Sequence, residues 1–234
     1  MIRRLIYAFV GIGLLWLPMI YAGESGPKWL DSFGVNEKNL SPTGRNAYFI
    51  LEPDYQLVYE GKEGDARVQL TITVLDETKR VDGVETRVVE ERETSNGKLA
   101  EVSRNYFAFD PVARNIYYFG EDVDMYKDGK LVTHDGRWLS GVKGAKYGLA
   151  MSGTPRAGDR YFQEVAPGIA MDRAEVVSTN EIVSTPAGIF VHCVKTEETT
   201  PLEPQSKEYK YYAPQVGLIQ DGVLKLVKHG QTKD

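Results

Sequence analysis

Hydrophobic and polar residues alternate along most of the chain from Tyr48 onward. In the clearest run the apolar residues stand at positions 68, 70, 72 and 74, with polar residues between them. The same two-residue period recurs over positions 84–88 and 209–213. It is typical of a strand with one buried face, whereas no stretch of twelve or more residues shows a helical stripe. The pattern therefore predicts a chain built almost entirely of β-strands.

Turn signals fall between these runs. Aspartate or asparagine followed by glycine tolerates the positive φ angles that tight hairpins require. Five such pairs occur: Asp82-Gly83, Asn96-Gly97, Asp128-Gly129, Asp135-Gly136 and Asp221-Gly222. We predict an all-β fold, namely a curved antiparallel sheet, partial barrel or sandwich built from hairpins, as a single domain over residues 46–234. Residues 23–45 are rich in glycine, serine, proline and asparagine, which predicts an irregular N-terminal segment.

The first 22 residues have the features of a secretory signal peptide. Arg3 and Arg4 precede an uncharged run over residues 5–17, Pro18 follows, and the segment ends at Ala22. As a helix that run would be about 20 Å long, short of a hydrocarbon core of roughly 30 Å. The segment predicts export to a bacterial periplasm or the extracellular space. An uncleaved N-terminal anchor is the alternative.

Composition excludes several classes of protein. The 234 residues are 42% hydrophobic and 26% charged, which is ordinary for a globular protein. A net charge of −5 argues against a nucleic-acid partner. Cys193, the only cysteine, rules out an intramolecular disulfide, and its apolar strand predicts a buried, inert thiol. The three histidines lack metal-ligand spacing, so we predict no metal and no cofactor.

Aromatic residues supply the candidate binding surface. Tyrosine suits the wall of a ligand site, because its ring buries apolar area while its hydroxyl reaches water or a ligand. A concave sheet or barrel mouth lined by aromatic residues would hold an apolar or amphipathic ligand, and the alternative is ordinary core packing. The candidate wall residues are Tyr118, Trp138, Tyr161, Tyr211 and Tyr212.

A hydrolase is the rival hypothesis. The chain contains no nucleophile-elbow, zinc-protease or phosphate-loop motif, so catalysis would have to use dispersed carboxylates. Glu121, Asp122 and Asp124 are the first candidates, because paired carboxylates can act as general acid and base. We expect no catalytic residues and favour a non-enzymatic protein.

Several local motifs resemble a family of uncharacterised secreted bacterial β proteins. In that family Gly-Asp-x-Tyr, Pro-Ala-Gly-x-Phe and Tyr-Ala-Pro-x-Val-Gly follow one another. Gly158-Asp159-Arg160-Tyr161, residues 186–190 and residues 212–217 match these motifs in the same order, and residues 115–122 resemble the family as well. The resemblance implies a secreted β protein and brings no activity, cofactor or catalytic residue. Its outline is also similar to the curved sheets of periplasmic lipoprotein carriers.

These observations favour an exported binding or envelope-associated protein without enzymatic activity. Its expected partner is an apolar or amphipathic small molecule or a lipid, with no nucleic acid and no stable membrane span after signal cleavage. The oligomeric state is open. The alternatives are the secreted hydrolase and a structural envelope component without a small ligand.

The signal-peptide prediction has a direct test. We expect N-terminal sequencing of the exported protein to begin near Gly23, because Ala22 is the last residue of the cleavage site. Membrane-bound material that retains Met1 would instead show that the segment is kept as an anchor.

Overall fold

The computed structural model describes residues 28–232, and the predicted signal peptide over residues 1–22 lies outside them. Within this range the protein forms seventeen strands and one short 3-10 helix, Glu37–Asn39. The strands are β1 (Gly44–Arg45), β2 (Ile50–Leu51), β3 (Tyr55–Glu63), β4 (Ala66–Val81), β5 (Val84–Ser95), β6 (Lys98–Phe109), β7 (Ile116–Lys127), β8 (Lys130–Thr133), β9 (Trp138–Leu139), β10 (Lys146–Met151), β11 (Arg160–Phe162), β12 (Glu164–Val165), β13 (Arg173–Thr185), β14 (Gly188–Thr200), β15 (Glu203–Ala213), β16 (Gly217–Asp221) and β17 (Leu224–Gln231). The predicted all-β class is confirmed.

Fifteen of these strands form one antiparallel sheet that nearly closes into a barrel. Its order is β11-β13-β14-β15-β16-β17-β3-β4-β5-β6-β7-β10-β12, with β8 and β9 also paired to β7. The last strand, β17, pairs with β3, where Leu226 lies opposite Tyr59. The two edge strands β11 and β12 are separated in sequence by Gln163 alone. The sheet therefore curves until its edges nearly meet, which corresponds to the partial barrel among the predicted alternatives.

Tight turns fix the register of the hairpins. At Asp82-Gly83 both residues have positive φ, 50° and 80°, and the pairs at 96–97 and 128–129 have the same geometry. Glycine and aspartate or asparagine adopt this conformation more readily than other residues, so these pairs select two-residue hairpins. Two predicted pairs depart from this pattern, because only Gly136 and Gly222 have positive φ there. The 135–136 pair lies in the connection between β8 and β9, which do not pair with each other. At the other pair, Asp221 ends β16 and the turn consists of Gly222 and Val223.

The barrel has two ends, because the connections of an antiparallel sheet alternate. One end carries the connections at 82–83, 186–187 and 214–216, and residues 46–51 cross it; we call this the capped end. The cap is fastened on both sides. Asn46 is buried and its Nδ2 donates to the carbonyl oxygen of Arg114 at 3.1 Å, while the amide of Gln215 donates to the carbonyl of Ala47 at 2.7 Å.

The opposite end carries the connections at 96–97, 201–202 and 222–223, and we call it the acidic end. Glu93 of β5 and Glu101 of β6 lie beside the first of these connections and are Cα partners across the two strands. Glu198 precedes the second connection, and Asp221 ends the strand before the third. Carboxyl groups from four strands therefore gather at this end of the barrel.

The N-terminal segment packs against the outside of the sheet. Trp29 lies against the guanidinium groups of Arg160 and Arg173, at 5.2 and 4.4 Å from its ring centroid. The Phe33 ring lies 5.5 Å from the Tyr117 ring. Tyr117 and its neighbour Tyr118 point to opposite faces of β7, so the segment supplies the outer cover that consecutive buried aromatics need.

The segment also explains a departure from simple alternation. The period of two over residues 84–88 predicts an exposed Arg87, yet this side chain is buried. Its guanidinium donates to the carbonyl of Pro42 at 3.0 Å and to the hydroxyl of Thr43 at 2.6 Å. A buried charge needs such partners, and here they come from a segment whose position the local pattern of β5 does not reveal.

Within residues 28–232, no helix is long and apolar enough to span a bilayer.

Candidate functional site

A cavity of about 60 Å³ lies inside the barrel behind the cap. Most of its lining is apolar, and three charged residues of strands β5, β15 and β16 reach it as well. The lining consists of Tyr48, Phe49, Ile50, Tyr55, Leu57, Ile72, Val74, Val89, Glu91, Phe107, Ala150, Lys210, Tyr212, Val216, Gly217, Leu218 and Asp221. An apolar chamber with a few convergent polar groups is the usual form of a small-molecule site.

Cap side chains close this cavity. The Phe49 ring lies 5.1 Å from the ring of Phe107 on β6, and Ile50 is buried beside it. The Tyr48 hydroxyl donates to the carbonyl of His192 at 3.4 Å. Phe49 and Ile50 are held by apolar contacts. These two cap side chains form a wall of the cavity, and their displacement would break no buried ion pair.

A buried ammonium group defines the polar side of the cavity. The Lys210 side chain is only 2% exposed, and its Nζ lies 3.0 Å from Glu198 Oε2 and 3.7 Å from Asp221 Oδ2. The other oxygen of Glu198 accepts a hydrogen bond from Gln163 Nε2 at 3.0 Å. Burial alone would lower the pKa of Lys210, but the carboxylates of Asp221 and Glu198 outweigh it and raise that pKa well above its usual value. Lys210 is therefore charged at neutral pH.

Further carboxyl groups lie deeper toward the acidic end. Burial raises the pKa of Glu121 to about 7, and burial together with the nearby carboxyls of Glu121, Glu93 and Glu91 raises the pKa of Glu101 to about 8. Glu164 is 2% exposed, and burial and the charge of Asp172 raise its pKa as well. These groups ionise with difficulty at neutral pH, because each ionised carboxylate disfavours ionisation of the next.

Part of this acidic layer is held by hydrogen bonds. The hydroxyl of the buried Tyr118 donates to Asn105 Oδ1 at 2.6 Å, and Asn105 Nδ2 donates to the hydroxyl of Ser103 at 3.3 Å. One oxygen of Glu164 accepts from the amide of Asp172 at 3.1 Å. Glu164 Oε2 and Asp221 Oδ1 are buried and have no hydrogen-bond partner among the described residues.

The five aromatic residues of the predicted binding wall occupy different positions. Tyr212 lines the cavity. Tyr118, Trp138 and Tyr161 are buried in the barrel, and the ring of Trp138 meets that of Tyr118 edge to face at 5.3 Å. Tyr211 is half-buried on the outer face of β15, where the Lys195 ammonium lies 5.5 Å from its ring centroid. A direct ligand contact stays a prediction for these residues, and Tyr212 is the best placed of the five to make one.

The three acidic residues of the hydrolase hypothesis are not brought together. Glu121 points into the barrel, whereas Asp122 and Asp124 lie on its outer face, because successive residues of β7 alternate. Asp122 accepts hydrogen bonds from Lys79 Nζ at 2.8 Å and from the Tyr106 hydroxyl at 2.5 Å. Asp124 lies 2.7 Å from His134 Nδ1. Asp122 thus has an ion-pair partner and Asp124 a histidine contact at the surface, and the sheet separates both from Glu121.

Metal and thiol chemistry have little basis within the described residues. Over residues 28–232, no group of three or more histidine, cysteine or acidic side chains is arranged to hold a metal ion. Cys193 is fully buried, as its apolar strand predicts, and burial raises the pKa of its thiol. His192 lies on the other face and is exposed, so it does not pair with the thiol.

Sequence reasoning missed the charged residues at the cavity. Lys210 stands between Tyr209 and Tyr211, and only the alternation with Tyr212 could have placed it on the inner face. Asp221 reads as the first residue of a turn. The cap residues Tyr48 and Phe49 precede the first long strand, and no periodic signal indicates that they fold across the barrel end.

Comparison with known proteins adds little to this geometry. No family model matches the chain, and no curated protein matches it. Among solved structures, the chain is similar to the crystal structure of a "putative lipoprotein" from Parabacteroides distasonis ATCC 8503. The two are 13% identical, the match covers 80% of this chain and 100% of that one, and the TM-score is 0.39. The function must therefore be argued from this chain's own residues.

The buried ion pairs generate one prediction. We expect Lys210→Met to lower the free energy of unfolding by about 3–5 kcal/mol at neutral pH, because it leaves Glu198 and Asp221 buried without their cation. Denaturant-induced unfolding measures this loss. Lys207→Met on the same strand is the matched control. Lys207 is half exposed and pairs with Glu197 at the surface, so its loss should cost only a small fraction of the Lys210→Met loss. Equal effects of the two substitutions would contradict the burial argument.

The raised pKa of Glu121 generates a second prediction. Because the folded-state pKa of about 7 exceeds the ordinary 4.5, the folded protein holds this proton more tightly than the unfolded chain does. The resulting stability is fully present below about pH 4.5 and is lost as the pH rises toward 7. Glu121→Gln mimics the protonated form. At pH 8 it should therefore increase the free energy of unfolding, by an amount on the order of 3 kcal/mol.

The pH profile separates this effect from a general change in packing. At pH 4 the Glu121→Gln variant should match the wild-type protein, and unfolding curves between pH 4 and pH 8 should diverge progressively. Glu77→Gln, at an exposed position, should show no such divergence. A constant difference between the Glu121→Gln variant and wild type across this range would contradict the raised pKa.

Proposed function

We propose that the protein is an exported binding protein that holds an amphipathic molecule inside its barrel, with the apolar part in the cavity behind the cap. The observation that carries this proposal is the cavity itself, which has an apolar lining and a polar side formed by Glu91, Lys210 and Asp221. A molecule with an apolar chain and a polar head matches such a lining. The export part of the proposal rests on the sequence of residues 1–22.

Ligand entry requires side chains of the cap to move. A volume of about 60 Å³ is well below the roughly 300–1,000 Å³ of sites that hold drug-sized ligands. Displacement of the Phe49 side chain from Phe107 would extend the cavity toward the capped end. Asn46 and Ala47, whose side-chain amide and backbone carbonyl form the hydrogen bonds that fasten the cap, need not move for this. We therefore propose that the cap opens by rearrangement of its apolar side chains.

Two substitutions of opposite sign test the proposal with decan-1-ol as the probe. Val89 lines the cavity, so Val89→Phe should fill it and weaken binding at least tenfold. Phe49→Ala removes the side chain that must be displaced, so it should strengthen binding several-fold. Isothermal titration calorimetry of the full chain measures both affinities.

Val223→Phe is the matched control for the filled cavity, because Val223 is 53% exposed at the β16–β17 connection. Its affinity for decan-1-ol should equal that of the wild-type protein. The proposal is wrong if the wild-type chain binds none of the ten-carbon amphiphiles decan-1-ol, decylamine and decanoate. It is equally wrong if folded Val89→Phe and Phe49→Ala variants bind the probe as the wild type does.

A further inference from the structure

The charges inside the barrel do not balance. The buried carboxyl groups that belong to its interior are Glu91, Glu121, Glu164, Glu198 and Asp221. Among the described residues two basic side chains are buried, Arg87 and Lys210. Arg87 is engaged by Pro42 and Thr43 of the N-terminal segment, so Lys210 is the buried basic side chain that contacts this set.

Lys210 compensates only part of this negative charge. Its Nζ contacts Glu198 and Asp221, and no basic side chain within residues 28–232 forms an ion pair with Glu91, Glu121 or Glu164. Carboxyl groups of this kind must either stay protonated or find a positive charge from elsewhere. The raised pKa values of Glu101 and Glu121 are consistent with a site that favours added positive charge.

Two oxygen atoms add an independent observation. Asp221 Oδ1 and Glu164 Oε2 belong to side chains that are each 2% exposed, and neither atom has a hydrogen-bond partner among the described residues. Asp221 lines the apolar cavity together with Glu91. The cavity therefore ends at an acceptor, Asp221 Oδ1, that lacks a donor, and Lys210 is already engaged by Glu198 and by the other oxygen of Asp221.

We propose that the amphipathic ligand carries a positive charge: its alkyl part lies against Phe49 and Phe107, and its cationic head lies between Glu91 and Asp221. This inference rests on the binding function proposed above. An organic ammonium group fits better than a metal ion, because no described residues are arranged as metal ligands. Ammonium groups donate to carboxylates without a fixed coordination geometry.

Three probes with the same ten-carbon chain test the charge preference: decylamine and decanoate below their micelle concentrations, and decan-1-ol below its solubility limit. With the full chain at pH 7.5, decylamine should bind at least tenfold more tightly than decan-1-ol, and decanoate should bind most weakly. Calorimetric titration measures all three. Comparable affinities for decylamine and decan-1-ol, or a preference for decanoate, would overturn the inference while leaving the proposed binding function intact. If none of the three binds, both proposals fail.

Glu91→Gln then locates the head group. Because Glu91 lines the cavity and has no ion-pair partner among the described residues, this substitution should weaken decylamine binding about tenfold and decan-1-ol binding by much less. Glu90→Gln is the matched control: Glu90 lies on the outer face of the same strand and pairs with Arg104. Should Glu91→Gln not fold, Asp221→Asn takes its place, because Asp221 is the other cavity-lining carboxyl of the proposed head-group site. An equal loss for both probes, or no loss for either, would overturn the assignment.

Discussion

An antiparallel sheet that curves back on itself encloses an inner face, and each polar group on that face needs a partner inside the protein. This constraint governs the arrangement seen here. The pairing of β17 with β3 closes the middle of the sheet, and Gln163 joins its two edges. The same Gln163 donates to Glu198, so the residue at the seam also supports the buried Lys210 ion pairs. Gln163 thus links the near-closure of the barrel to the buried ion pairs of Lys210.

The interior is organised along the barrel axis. At the capped end, Phe49 and Phe107 close an apolar cavity; Lys210 and Asp221 mark its polar side; acidic residues continue toward the other end. The layers differ in how they replace the contacts that water would make. Apolar side chains exclude it, whereas buried carboxyls need protons, donors or a cation in its place. The proposed function and the inferred ligand charge follow from this order of layers.

The sequence was informative about strands and much less so about the interior. Alternation over residues 68–74 and the turn at Asp82-Gly83 predict local structure, because the two-residue period and positive φ depend only on neighbouring residues. Arg87, Lys210 and the cap depend on contacts with distant segments, which no local pattern encodes. The predicted aromatic wall shows the same limit: Tyr211 and Tyr212 are adjacent, and only the closed sheet determines that Tyr212 faces the cavity.

A crystal structure of the full chain with decylamine would test this account most directly. The account predicts an alkyl chain between Phe107 and a displaced Phe49 side chain, with the amine nitrogen within hydrogen-bond distance of Glu91 or Asp221. Decylamine bound only on the outer face of the sheet, with the Phe49–Phe107 contact intact, would contradict it.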